Sequence, residues 1–158
     1  ESYGEGFWAK VKWLEKKCYD KVEWMESLRC VKKEVYDKLG GHNEKMVFSE
    51  DKDFDIRVRE AGYNVGRVNA VTMHYEGILE LWKTMKKKLG YSNTSNIFAE
   101  KHPAHFRKQA NILLRYALYL KNIKYLFANP VIYTGLWFLK TCEFGASAVG
   151  IILKKFVK

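Results

Sequence analysis

At 158 residues with 47% hydrophobic side chains, the chain is long enough to bury one ordinary core plus an appendage, and it holds no internal repeat or low-complexity tract. Lys and Arg exceed Asp and Glu by ten, which favours an anionic partner such as a phosphorylated substrate, an acidic membrane surface or nucleic acid without choosing among them. Cys18, Cys30 and Cys142 are odd in number and lack metal-ligand or redox spacing, which argues against a disulfide framework and for reduced thiols in a cytosolic setting.

Glu1 to Gly6 shows no basic segment followed by an apolar run, so no secretory signal is expected there; with no initiator Met, the sequence reads as cut from a longer one. From Phe7 to Met25, Val11, Leu14, Cys18, Val22 and Met25 recur at helical steps. A short strand is expected over Leu28 to Val31, then a helix from Lys33 to Leu39 stopped by Gly40 and Gly41, then a loop from His42 to Phe48. Ser49 is the expected N-cap of a helix running to Ala61, with Glu50 and Asp51 in its first turn and Phe54, Val58 and Ala61 on its buried face. Asn64 to His74 suits one or two short strands, with His74 at the end of the last. An amphipathic helix with a basic end, Lys86 to Lys88, spans Ile78 to Leu89, and Gly90 to Asn96 reads as a polar loop. Two long apolar helices follow, Pro103 to Phe127 and Val131 to Val157, divided by Asn129 and Pro130.

The stretch that carries chemistry is Lys32 to His74. In order it presents Gly40, Gly41, Glu44, Glu50, Asp51, Asp53, Arg57, Ala61, Gly62, Tyr63 and His74. This order resembles the C-terminal half of the GT-A fold in glycosyltransferase family 2, where a Gly-Gly turn precedes Glu-Asp-x-Asp, an Arg-bearing helix ending in Ala-Gly-Tyr, and a strand ending in His. Glu26-x-x-Arg29, Lys101-His102-Pro103 and the apolar tail extend the likeness more loosely toward archaeal and bacterial members that use polyprenyl phosphates. The chain departs from the pattern at His42 and Asn43, where an aromatic and Asp are usual, and at Lys52.

The resemblance implies a partial GT-A sheet with helices, an α/β class, followed by a helical membrane-associated hairpin. It also implies inverting transfer of a sugar from a nucleotide sugar to a lipid-linked or saccharide acceptor. Asp51 takes the role of base toward an acceptor hydroxyl; a polyprenyl phosphate would be anionic already and need none. Glu50, Asp53 and Arg57 form the supporting acceptor-side shell, and His74 supplies one ligand to a divalent ion, Mn²⁺ or Mg²⁺, shared with an absent nucleotide-binding half. Asp51-Lys52-Asp53 is not the family's metal-binding Asp-x-Asp, which is missing, so the chain is expected to be inactive alone. Set against these roles, two acids in a first helical turn serve the helix dipole in most proteins, and Asp53 with Arg57, four apart, makes a simple ion pair. His102 and His105 flank Pro103 without support for a metal role.

Val131 to Leu153 is nominally long enough to cross a bilayer core of roughly 30 Å. Lys140 and Glu143 interrupt it and are spaced to pair on one helix; Gly135, Gly145, Ala146, Ala148 and Gly150 offer small contact surfaces. Ile112 to Phe127, bearing Arg115, Lys121 and Lys124, suits an interfacial helix, and Lys154, Lys155 and Lys158 close the chain. The expected layout is residues 1–77 for the transferase part, 78–102 for a helix and connecting loop, and 103–158 for a membrane-associated region at the cytoplasmic face. The alternatives are a soluble helical subdomain for the tail and, for the whole, a non-catalytic basic module binding nucleic acid or anionic membrane; no recognised nucleic-acid motif is present.

Overall fold

A computed structural model of the protein describes residues 2–70 and 72–156. It divides into two compact units. The first comprises Glu1–Asp20, Val71–Asn93 and Ala110–Lys158; the second comprises Lys21–Ala70 and Thr94–Gln109.

In the first unit, strand β1 (Ser2–Glu5) leads directly into helix α1 (Gly6–Cys18), whose Ala9, Val11, Leu14 and Cys18 are buried. Strand β2 (His74–Ile78) pairs with β1 in parallel, Ser2 opposite His74 and Tyr3 opposite Tyr75, with an irregularity before Glu5. After Asn111, which caps by accepting from the Leu114 amide at 3.1 Å, come α6 (Ile112–Lys121), α7 (Lys124–Ala128) and the 27-residue α8 (Pro130–Phe156). α8 lies along α1 with Leu136 and Leu139 fully buried. Gly135 makes the approach possible: a Cβ there would fall 2.6 Å from Phe7 and 3.0 Å from Val11.

The interface between α1 and α8 is polar at its middle. Lys140 donates to Glu15 at 2.7 Å and to Glu143; Lys12 reaches Glu15 at 2.6 Å and Glu143 at 3.4 Å. Burial opposes Glu15's charge, but Lys12 and Lys140 hold its carboxyl well below the ordinary range. One end of α1 is pinned by a buried hydroxyl pair, Tyr19 and Tyr119, onto which Arg115 donates at 3.1 Å.

In the second unit, a 3₁₀ turn (Glu23–Met25), α2 (Lys33–Lys38) and α3 (Glu50–Glu60) are joined by irregular chain and, between α2 and α3, by turns. α4 (Leu81–Lys101) gives its residues after Asn93 to this unit, followed by α5 (Pro103–Ala110). Met46, Ile56 and Phe98 form its apolar centre, with Phe48, Ile97 and Phe106 against them.

These elements correct the expected α/β class. Helix takes up 66% of the chain and strand 6%, in one two-stranded parallel sheet among the described residues, so this is not half of a Rossmann-like GT-A sheet. A β-branched run becomes a strand only where another strand supplies the ladder, and neither Leu28 to Val31 nor the described residues of Asn64 to Thr72 have one; Val71 of the expected strand lies outside the described residues. Val68 is 80% exposed there, and β2 begins at His74 instead of ending on it. Three helix boundaries also differ. The first helix stops at Cys18 because Lys21 turns left-handed (φ 61°). Gly90 to Asn96 is helical within α4, and Pro103 to Phe127 is three helices broken at Asn111 and Asn122. The expected helix end at Val157 lies outside the described residues, as do Lys158 and the side chains of Lys154 and Lys155.

Candidate functional site

Three carboxylates, Glu50, Asp51 and Asp53, occupy the first turn of α3, where the unpaired amides favour negative charge. Ser49 does not cap this helix with its side chain. Its backbone is left-handed (φ 59°), its carbonyl accepts the Asp53 amide at 2.9 Å, and its hydroxyl turns toward Gln109 at 3.5 Å.

Asp53 is fully buried and fully paired. Its Oδ1 accepts from His102 Nε2 at 2.7 Å and from Lys101 Nζ at 2.6 Å, and its Oδ2 accepts from Arg57 Nε at 2.9 Å. The first of these bonds places a proton on Nε2 of His102. Burial alone would raise the Asp53 pKa, but hydrogen bonds from Lys101, His102 and Arg57 outweigh it and hold the carboxyl below its ordinary value of 3.8.

Arg57 carries the linkage onward. Its two terminal nitrogens donate to the Leu39 carbonyl at 2.6 Å and the Gly41 carbonyl at 2.5 Å, so one guanidinium closes the end of α2 and clamps the Gly-Gly turn. Gly41 has φ 65°, and a Cβ would meet the Tyr36 ring at 2.8 Å, so both conformation and space demand glycine. The Tyr36 hydroxyl accepts from the His42 amide at 3.2 Å, and the His42 ring lies 5.5 Å from Tyr36 and 5.1 Å from Phe54. His42, one of the departures from the family pattern, thus packs as an aromatic ring would.

Lys52, the other departure, is buried and grips the preceding segment. Its ammonium donates to the Glu26 carbonyl at 2.7 Å, the Glu23 carbonyl at 3.2 Å and Asp55 at 2.8 Å. Asp55 also accepts from Arg59 at 3.0 Å, and Arg67 donates to Glu26 at 2.8 Å. The result holds Arg29 near the start of α3, its guanidinium 4.0 Å from Asp51.

Asp51 remains accessible. Its side chain is 43% exposed; Oδ1 accepts the adjacent Lys52 amide at 2.8 Å, and Oδ2 faces Arg29. Glu50 is half-buried, its carbonyl 3.4 Å from His42 Nδ1. An open depression of about 460 Å³ lies beside the Gly-Gly turn, lined by His42, Asn43, Lys45, Arg57 and Lys101; Asp51 is not part of its wall.

His74 belongs to the first unit, where its side chain is 71% exposed and 3.9 Å from Glu76 Oε2. The other Glu76 oxygen accepts from Ser2 at 3.0 Å. A divalent ion would find two donors here, and no group of three His, Cys, Asp or Glu suited to a metal occurs among the described residues. Cys18, Cys30 and Cys142 are unpaired, and burial pushes the Cys18 thiol up to about 12.

The spacing of Asp53 and Arg57 suggests, beside the acceptor-side shell, a simple ion pair, and that pair is present but buried; the partners that bury it, Lys101 and His102, lie far along the chain. Their one sequence signal is the Pro103 that follows, which fixes where α5 begins. Comparisons with protein-family models, curated proteins and solved structures returned no match for this chain.

Proposed function

We propose that this chain is the acceptor-side part of an enzyme that transfers a sugar, with inversion, from a nucleotide sugar to a lipid-linked or saccharide acceptor at the cytoplasmic face of a membrane. The observation that carries the reading is the contrast within one helical turn: Asp53 is sealed into an ionic node while Asp51 stays open to solvent beside Arg29. A carboxylate needed only for the helix dipole does not require three further groups to fix the turn that presents it.

On this reading the acceptor hydroxyl attacks the anomeric carbon opposite the nucleotide. The bond from that carbon to the diphosphate oxygen breaks with its electron pair on the departing nucleotide, and the hydroxyl proton passes to Asp51. With a polyprenyl phosphate the attacking oxygen carries no proton, and Arg29 beside Asp51 meets its charge. Glu50 borders the same turn. Asp53 and Arg57 are positioning residues that hold that turn to Gly40 and Gly41. His74 and Glu76 fall short of a complete ligand set for a divalent ion, so no step runs through one; on this reading the donor pocket is supplied by another part of the enzyme, and the chain alone does not turn over.

The rival, a nucleic-acid module, would stack bases on exposed rings such as Trp82 and Phe127; against it stands the absence of a recognised nucleic-acid motif in the sequence.

The test is transfer from nucleotide sugars to polyprenyl phosphate and to glycolipid acceptors by the gene product carrying this sequence. Asp51→Asn is expected to lower kcat on a hydroxyl acceptor by about 10²- to 10⁴-fold with donor KM unchanged. Undiminished turnover removes Asp51 from the chemistry.

A further inference from the structure

α8 answers the question its sequence leaves open, because its two interrupting charges face one way. Lys140 and Glu143 are buried toward Lys12 and Glu15 of α1. The opposite side presents Val131, Thr134, Phe138, Thr141, Gly145 and Ile152, all exposed, at helical steps and without one charge. Val131 is 64% exposed, Phe138 54% and Ile152 53%. Pro130–Leu153, 24 residues with mean hydropathy 1.4, is long and apolar enough to cross a membrane, and at 1.5 Å per residue it measures roughly 36 Å.

The hydroxyls on this side are already satisfied. Thr134 donates to the Pro130 carbonyl at 3.0 Å, and Thr141 donates to the Trp137 carbonyl at 2.9 Å, so neither needs water. The stripe continues back to Phe127, 82% exposed, next to the exposed cations Lys121 and Lys124. Beyond Ala110 the sequence contains one acid, Glu143, which is buried, and most of the chain's net positive charge belongs to the first unit.

We propose that the first unit docks on an anionic lipid bilayer with α8 lying in the plane of the surface, its uncharged side down and Lys121 and Lys124 among the headgroups. Crossing the bilayer is disfavoured by α1. That helix follows the inner side of α8 and carries exposed Lys10 and Lys16, charges that a mid-membrane position disfavours strongly. A helix whose charges are covered and whose other side is exposed and apolar, touched only at its margins by Trp8 and Tyr116, settles about 5–10 Å into the headgroup boundary.

Co-sedimentation with phosphatidylcholine vesicles containing about 30% phosphatidylglycerol tests the surface without any transfer assay. Strong binding is expected, weakened about tenfold in pure phosphatidylcholine and again by Phe138→Glu. Val47→Glu, on an exposed residue of the second unit, leaves it unchanged. Equal binding to both vesicles, or no effect of Phe138→Glu in a variant that unfolds at the wild-type temperature, overturns the proposal. Posture is read separately, in a Cys30→Ser, Cys142→Ser background, from a fluorophore on Thr134→Cys, Thr141→Cys or Ala148→Cys quenched by brominated lipids. Equal shallow depths are expected, and a deep Thr141 between shallow ends means α8 crosses.

Discussion

Asp51 and Asp53 stand two residues apart on one turn of α3 in opposite surroundings: one is 43% exposed beside Arg29, the other fully buried among His102, Lys101 and Arg57. Stability and turnover should therefore separate between them. Asp53→Ala strips a buried carboxylate from three cationic or donor partners and is expected to cost about 3–5 kcal/mol in urea unfolding. Asp51→Asn should stay within about 0.5 kcal/mol of wild type. Equal losses would mean that the two carboxylates share one structural role.

Acid should weaken the fold in two stages. Burial, then Lys52, His102 and Lys108, lower His105 below the ordinary 6.5, and its buried Nδ1 lacks a hydrogen-bond partner. The unfolded chain therefore takes up that proton first, and stability falls as pH drops from 6.5 toward the lowered folded value. Asp53, lowered below 3.8, contributes stability above that value and loses it as pH falls through its folded pKa. Thermal midpoints between pH 8 and pH 3 should show both stages, the upper absent in His105→Phe and the lower reduced in Asp53→Asn, since Glu15 and Glu143, also lowered, share it. A single decline identical in all three proteins would contradict this.

The two glycines of the turn should respond unequally to alanine. Gly40 (φ 73°) has open space where a Cβ would go, so Gly40→Ala meets the left-handed penalty alone, about 1–2 kcal/mol. Gly41→Ala adds a collision with Tyr36, about 1–3 kcal/mol more, and Tyr36→Leu should relieve part of that excess. Absence of rescue in the double variant would place the cost in backbone conformation only.

Breaking the ionic cluster between α1 and α8 should be costlier than erasing it. Lys140→Met leaves the Glu15 and Glu143 carboxylates buried together and is expected to lose about 3–5 kcal/mol. Adding Glu15→Leu, Glu143→Leu and Lys12→Met, which removes the remaining partner as well, should recover most of that loss. A quadruple variant no more stable than Lys140→Met would show that the cluster's geometry, not its charge balance, holds the helices.

Local chemistry made parts of this legible in the sequence. The expected helix Lys33 to Leu39 overshoots α2 by one residue and the helix ending at Ala61 overshoots α3 by one, because a glycine follows each and punctuates without outside help. Strands were not legible. Val65 and Val68 have the right side chains, but pairing depends on a distant neighbour that the described residues do not supply, and β2 owes its ladder to Ser2–Glu5 at the other end of the unit. At the site, Glu50, Asp51 and Arg57 lie on α3 as expected because four residues span about one turn. His102 is not legible as the partner of Asp53 because 49 residues separate them, and Lys52, legible only as a departure from the family pattern, gives no sign of its burial because nothing nearby in sequence marks its two carbonyl acceptors.

The parallel pairing of β1 with β2 also sets a clock. Ser2 and Glu76, joined by a side-chain hydrogen bond, are 74 residues apart. Bringing them together costs loop-closure entropy that a two-stranded ladder repays poorly, whereas the Arg57 clamp of α3 on the Gly-Gly turn closes over only 18 and 16 residues. The sheet should therefore be the last piece to assemble and the first to open. During synthesis, β1 and the apolar side of α1 wait unpaired while all the intervening chain is made, an interval in which a chaperone or a bilayer has first claim on them.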